Sequence, residues 1–107
     1  MRIRKDENEI LEEEIELIAT VSDALAHPAR IRMFKYIMQQ NRAMVPVCTG
    51  TIVDSFEYAQ ATVSQHMKKL VQSGLVEQKK QDKFSYYYVN LGMLSKYLNA
   101  TKKFSID

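Results

Sequence analysis

Apolar residues recur at steps of three and four along residues 8–25. The stripe on one side of this helix consists of Leu11, Ile15, Ile18, Val21 (or Ser22) and Leu25. The acidic residues of this segment lie mostly off that stripe, as they do on an amphipathic helix. We therefore predict a first helix over residues 8–25 with one apolar face.

A second helix is predicted to start near Pro28, because proline is accepted in the first turn of a helix but not in its middle. The helical period of this segment places four of its residues toward the interior. These are Ile31, Phe34, Ile37 and Met38.

Two further helices are predicted over about residues 49–56 and about residues 60–73, joined by a turn at residues 57–59. Gly74 ends the second of them as a left-handed cap. The buried seam of this helix consists of Val63, Met67, Leu70 and Val71. A short helix joined to a second by a tight turn is the helix-turn-helix geometry, whose second helix enters the major groove of DNA.

Two β-prone stretches, residues 75–80 and 84–89, flank Gln81-Asp82-Lys83 and predict a hairpin. The period of two places Tyr87 and Val89 on one face and Tyr86 and Tyr88 on the other. A hairpin directly after a helix-turn-helix is a wing.

A last helix is predicted over residues 91–103, with Leu91, Leu94, Leu98 and Thr101 at helical spacing. The fold class is then mainly α with a small β-hairpin: a winged helix-turn-helix of five helices and a two-stranded wing. We expect a single domain, residues 1–107. A fold this small has difficulty covering two apolar stripes, so we expect the first and last helices to mediate dimerisation.

Charge is distributed unevenly along the chain. Residues 1–25 carry eight acids and three bases, whereas residues 26–107 carry twelve bases and five acids. The first part would repel a polyanion and the second would attract one. Ordinary solvated faces are the alternative explanation. Residues 59–74, AQATVSQHMKKLVQSG, contain no acid at all.

The fourth predicted helix offers short polar side chains at the end that would approach base edges. These candidates for base contact are Gln60, Thr62, Ser64, Gln65 and His66. Lys68 and Lys69 lie further along and are candidates for phosphate contact. The alternative is the solvated side of an amphipathic helix, and His66 alone is as compatible with packing or capping.

The wing carries Lys79, Lys80 and Lys83, which fit phosphate or minor-groove contact. Lysine also protects strand edges from pairing with other chains, which is the alternative explanation.

Three segments resemble the ArsR/SmtB family of winged helix-turn-helix repressors: ALAHPARIRMFKYI, QATVSQHMKKLVQSGLVE and KFSYYYVN. The resemblance implies a homodimeric bacterial or archaeal repressor that binds double-stranded DNA, dimerises through its first and last helices, and recognises an inverted repeat. The sequence departs from the family in the wing turn, where glycine is common. Asp82 stands there and tolerates a left-handed conformation better than most residues.

Many members of this family sense metals, but the ligands of the two familiar sites are missing from the sequence. Cys48 is the single cysteine of the chain, and the last helix contains no histidine. Zinc requires about four nitrogen or sulfur ligands. We therefore predict no metal and no cofactor, and regulation that does not depend on a metal at either site. Cys48 remains a possible thiol sensor, with a buried, inert cysteine as the alternative.

No catalytic constellation is present in the sequence, so we do not expect an enzyme. The charged start MRIRKDENE lacks the apolar core of a signal peptide, no apolar run spans a membrane, and one cysteine suits a reducing compartment, so we expect a cytoplasmic protein. The alternative to a DNA-binding regulator is a winged-helix module that binds protein. Salt dependence separates these two hypotheses.

Overall fold

The structure, a computed structural model, describes residues 9–105. It contains five α-helices and one antiparallel hairpin, which confirms the predicted fold class. The elements follow in the order α1 (Glu12–Ala24), α2 (Pro28–Arg42), α3 (Thr49–Ser55), α4 (Gln60–Gln72), β1 (Val76–Gln81), β2 (Phe84–Val89) and α5 (Leu91–Thr101), with a 3-10 turn at Lys102–Phe104. Residue 8, where the predicted first helix begins, lies outside the described residues.

Helix α2 begins at Pro28 as predicted, but its buried face differs from the prediction. Met33 and Ile37 are fully buried, whereas Ile31 is 50% exposed. A residue two positions from Met33 lies about 200° around the helix from it, so the two cannot both face the core. The prediction for Ile31 was wrong, because spacings of three and four through Phe34 and Ile37 allow more than one stripe.

Buried side chains from α1, α2, α3 and α4 form one hydrophobic core. Val21 of α1, Ile52 of α3 and Leu70 of α4 have no exposed surface, and Met67 of α4 is almost as deeply buried. The predicted seam of α4 is confirmed at Val63, Met67 and Leu70, while Val71 is half-buried. This packing fixes which side of α4 faces outward.

Gly74 ends α4 in a left-handed conformation with φ of +87°, as predicted. A Cβ atom at this position would lie 3.0 Å from the Met93 side chain of α5. The backbone angle is what favours glycine here, and the end of the Met93 side chain would have to shift slightly to admit a Cβ atom.

The wing consists of β1, β2 and their turn. Its register runs from Val76 opposite Val89 to Gln81 opposite Phe84. The connection is therefore the two-residue turn Asp82-Lys83, one residue shorter than predicted. Asp82 has φ of +57°, which confirms that it takes the left-handed position in place of glycine.

Two contacts fix the wing to the helical body. Asn41, near the end of α2, receives a hydrogen bond from the backbone amide of Val89 at 2.8 Å. The backbone amide of Tyr87 donates to the carbonyl of Val47 at 2.9 Å. Since both contacts hold β2, the wing lies at a defined position beside α4.

The first and last helices, α1 and α5, pack against each other. Lys103 donates a 2.7 Å hydrogen bond to the Glu14 carboxylate, and the hydroxyls of Ser22 and Tyr97 share a hydrogen bond of 3.1 Å. Apolar side chains remain exposed on both helices, among them Ile15 at 47% and Leu98 at 50%. Within residues 9–105, no helix is long and apolar enough to cross a bilayer.

Candidate nucleic-acid interface

The exposed side of α4 is set by its buried seam. At about 100° per residue, Gln65 and Gln72 lie opposite the centre of Val63, Met67 and Leu70. Lys68 lies beside them, and all three are exposed. This row of three, the outer ridge, presents two amides and one ammonium group to solvent.

On one side of the outer ridge lies a cleft of ≈ 490 Å³ between α4 and the wing, here called the wing cleft. Ser64 and Lys68 line it from α4, and Gln78 and Ser85 line it from the wing. Lys80 pairs with Ser85 across the hairpin and so lies on the same face of the wing. The structure thus brings Ser64, Lys68 and Lys80 to one side of α4.

The remaining wing lysines lie elsewhere. Lys79 is on the opposite face of the hairpin from Lys80, where its ammonium lies 5.4 Å from the centre of the Tyr88 ring. Lys83 is in the turn at the tip. Of the three predicted wing lysines, only Lys80 shares a face with the wing cleft.

On the other side of the outer ridge lies a groove of ≈ 440 Å³ lined by Arg30, Gln65, His66, Lys68, Lys69 and Gln72, here called the histidine groove. His66 is half-buried, and its ring centre lies 4.7 Å from that of His27, the residue that precedes α2. Partial burial, together with the nearby positive charge of His27 and Arg30, lowers the pKa of His66 below its usual value.

The predicted residues of α4 therefore spread over three surfaces. Gln65 is on the outer ridge, Ser64 on the wing side and His66 with Lys69 on the α2 side. Gln60 is exposed at the start of the helix. Thr62 is half-buried and falls on the α2 side of the helix, one turn before His66.

Two residues of this surface were not predicted from the sequence. Gln72 lies two turns beyond Gln65 on the same face, a spacing of seven that was available in the sequence. Arg30 reaches the groove from α2, and only the packing of α2 on α4 reveals that contact. Its Nε atom is buried and has no hydrogen-bond partner among the described residues.

The basic side chains around α4 lack acidic partners. Lys103–Glu14 is the one ion pair between residues 9 and 105, and it lies at the α1–α5 end. No carboxylate lines the wing cleft or the histidine groove. The positive charge on both sides of the outer ridge is therefore available to an anion.

Cys48 is the residue before α3 and is half-buried. Its backbone amide donates a hydrogen bond to the Thr51 hydroxyl at 3.0 Å. In the described part of the chain, no group of three or more histidine, cysteine, aspartate or glutamate side chains is placed to hold a metal ion. The thiol-sensor hypothesis for Cys48 stays a prediction.

Comparison with known proteins gives a consistent family and fold. Residues 25–79, more than half of the chain, match the family model described as "Helix-turn-helix domain". An uncharacterized HTH-type transcriptional regulator from Methanocaldococcus jannaschii is 29% identical over 77 residues, which are 72% of this chain and 82% of that protein.

Two solved structures show the same fold. An ArsR-like transcriptional regulator from Rhodococcus sp. RHA1 aligns with a TM-score of 0.74 at 16% identity, over 86% of this chain and 82% of that one. A homodimeric winged helix-turn-helix DNA-binding domain from Mycobacterium bovis, described as a possible ArsR-family regulator, aligns with a TM-score of 0.67 at 19% identity, over 94% and 87%.

These comparisons confirm the resemblance that the three sequence segments suggested. Both the family and the fold are those of transcriptional regulators, which are not enzymes. The chain belongs to the helix-turn-helix domain family, and its winged fold is that of the ArsR-type transcriptional regulators.

Proposed function

We propose that the protein is a homodimeric repressor that binds an inverted-repeat operator in double-stranded DNA through α4 and the wing. The observation that carries this proposal is the outer ridge of α4, Gln65, Lys68 and Gln72, with unpaired positive charge on both sides. Base edges require amides and hydroxyls, and the flanking phosphates require cations. The outer ridge supplies amides for the base edges, and the basic side chains on its two sides supply cations for the phosphates.

The proposed roles follow from position. Gln65 and Ser64, with Gln60 and Thr62 at the start of α4, read base edges in the major groove. Lys68, Lys69 and Lys80 hold phosphate, and Lys83 at the wing tip reaches the adjacent backbone or minor groove. Lys79, over the Tyr88 ring, has at most a secondary role.

Dimerisation is proposed through residues 8–25 and 91–103. Leu11 just before α1, Ile15 on α1 and Leu98 on α5 are exposed apolar side chains that a second copy would cover. Two copies related by a twofold axis would present two α4 helices to successive major grooves, which is why an inverted repeat is expected. A dimer seated on a promoter blocks access of the polymerase. Because its ligand is chromosomal DNA, we place the protein in the cytoplasm.

The experiment that tests this proposal is selection of bound fragments from the source genome, followed by affinity measurements at several salt concentrations. A repressor yields a shared inverted repeat and binding that weakens steeply with salt, because phosphate contacts release counterions. Fragments with no common sequence would reject specific recognition. Absence of DNA binding at low salt, together with a protein partner, would favour the interaction-module alternative.

A further inference from the structure

We propose that the histidine groove is a second phosphate-binding site, in which Arg30 and Lys69 hold one DNA phosphodiester and His66, beside the His27 ring, takes up a proton as the phosphate binds. This inference rests on the proposed DNA-binding function and extends it to α2. It adds a phosphate contact from Arg30 to the one already proposed for Lys69, and it makes DNA affinity depend on pH through His66.

The first argument is the chemistry of the lining. The groove contains a guanidinium, two ammonium groups, an imidazole and two amides, which donate hydrogen bonds to phosphate oxygens. No carboxylate lines the groove itself, so its walls carry positive charge and hydrogen-bond donors without an anion among them. A groove built in this way favours an anion over a cation or an apolar ligand.

The second argument is Arg30. Its Nε atom is shielded from water and has no acceptor within the part of the chain that the structure describes. A buried donor without a partner is rare in folded proteins, so this guanidinium has hydrogen-bonding capacity that its own chain does not use. Since Arg30 also lines the groove, an acceptor that enters the groove would be drawn to this guanidinium.

The third argument is continuity with the outer ridge. Gln65, Lys68 and Gln72 line the groove and also form the ridge. A duplex whose major groove receives the ridge places phosphates on both sides of α4. The wing cleft faces one phosphate row and the histidine groove faces the other, which favours the DNA backbone over a free anion as the ligand.

The proton is taken up from solvent by His66. The rings of His27 and His66 lie 4.7 Å apart, and Arg30 and Lys69 are the charged groups beside them from α2 and α4. From α1, Asp23 shares a neighbouring cleft with Lys69. Without DNA, partial burial, together with the charge of His27 and Arg30, lowers the pKa of His66. A bound phosphate supplies the opposite charge and favours the protonated ring.

Binding should therefore strengthen as the pH falls. Uptake of one proton raises the association constant by up to about tenfold per unit of pH, within the range between the free and bound pKa values of His66. At pH values above that range the groove still holds phosphate through Arg30 and Lys69, and affinity no longer changes with pH.

The test uses a duplex of random sequence, because a phosphate contact does not require the operator. Affinity is measured against salt and pH for wild type, Arg30→Gln, Lys69→Gln, His66→Gln and the control Lys96→Gln, which removes a charge from the distant α1–α5 cleft. We expect Arg30→Gln and Lys69→Gln each to reduce the salt slope by about one unit, and His66→Gln to abolish the pH dependence. Because Lys69 is already assigned to phosphate, Arg30→Gln and His66→Gln test the groove itself, and His66→Gln does so even if Arg30→Gln fails to fold.

Proton NMR of the imidazoles identifies the ligand, since the chain has two histidines and His27→Asn assigns both resonances. Duplex DNA should raise the pKa of His66, and inorganic phosphate at matched ionic strength should not. An equal shift with inorganic phosphate would assign the groove to a free anion and overturn the DNA assignment. An unchanged salt slope in Arg30→Gln and an unchanged pH dependence in His66→Gln, with wild type still binding the duplex, would overturn the groove alone. A wild type that binds no duplex would overturn the proposed function as well.

Discussion

Gln65 and Lys80 represent the two kinds of contact that the interface requires, and at the level of single residues they should behave differently. Gln65 lies on the outer ridge, so Gln65→Ala should relax base preference at one operator position, with a loss of about 1–3 kcal/mol for a bidentate contact. Lys80→Gln should weaken binding to all sequences alike and reduce the salt slope by about one unit. Competition assays with operator variants separate the two outcomes. A change of sequence preference in Lys80→Gln would show that the roles are assigned wrongly.

His66 should make the stability of the free protein depend on pH. Its folded-state pKa is lowered from 6.5 by burial and by the positive charge of His27 and Arg30. Above pH 6.5 the ring is neutral in both the folded and unfolded states and has no linkage effect. As the pH falls through 6.5 toward the folded pKa, the unfolded chain binds the proton more readily, so stability is lost.

Urea unfolding at about pH 7.5 and about pH 5.5 measures this effect, since the ordinary titration range of histidine lies between them. Wild type should lose more stability between the two values than His66→Gln does. His27→Gln removes one positive neighbour and should give an intermediate loss. An equal loss in wild type and His66→Gln would exclude His66 as the source.

At the scale of elements, a residue with a strained backbone lies just after the end of α2. The amide of Val45 donates to the carbonyl of Gln40 at 2.9 Å and that of Met44 to Asn41 at 3.1 Å, which is the hydrogen-bond pattern of a Schellman cap. Glycine usually occupies the left-handed position of this cap, but here it is Met44, with φ of +61° and 88% of its surface exposed.

Met44→Gly should therefore stabilise the protein. The left-handed conformation costs a residue with a Cβ atom about 1–2 kcal/mol, and the extra freedom of glycine in the unfolded chain offsets part of that gain. We expect a net increase of about 0.5–1 kcal/mol in the free energy of unfolding, measured by urea titration. Met44→Ala removes the exposed side chain but keeps the strain, so it should be nearly neutral. Destabilisation by Met44→Gly would contradict this account of the cap.

Elements with strong local signals were predictable from the sequence. Pro28 marks the start of α2, Gly74 the end of α4, and Asp82 the turn of the wing, because each signal depends on the backbone of one residue. The inward face of α2 was less predictable, since the apolar residues from Ile31 to Met38 permit two stripes and only packing selects Met33 over Ile31. The histidine groove was not predictable, because His27 and His66 approach only when α2 packs on α4.

At the scale of the whole molecule, the protomer is extended, at 59 × 24 × 24 Å with a radius of gyration of 16.4 Å. A compact chain of this length has a radius of about 13 Å. An extended protomer leaves more of its surface outside its own core than a compact one of the same length does. This shape and the exposed apolar side chains of α1 and α5 together support the proposed dimer.

Leu98→Lys should convert the dimer into a monomer. Leu98 is half exposed, so its burial in a dimer contributes about 1 kcal/mol per copy, and loss of both copies weakens association about 30-fold before the added charge is counted. Sedimentation at micromolar concentration measures the effect. Ile31→Lys is a matched control, because Ile31 is equally exposed but lies on α2. A wild-type monomer at that concentration would reject the dimer itself.

Regulation of the whole molecule should not depend on a metal at either of the two sites familiar from ArsR-type proteins. Cys48 offers one thiolate beside α3, and the described part of α5 and the turn after it provides no histidine, aspartate or glutamate. Two Cys48 side chains of a dimer would still leave a zinc or arsenic site short of protein ligands. DNA binding by reduced protein should therefore be unchanged by stoichiometric zinc, cadmium or arsenite, in wild type and in Cys48→Ser alike. Release of DNA by one metal equivalent in wild type but not in Cys48→Ser would show that Cys48 has further ligands and that the protein is a metal sensor.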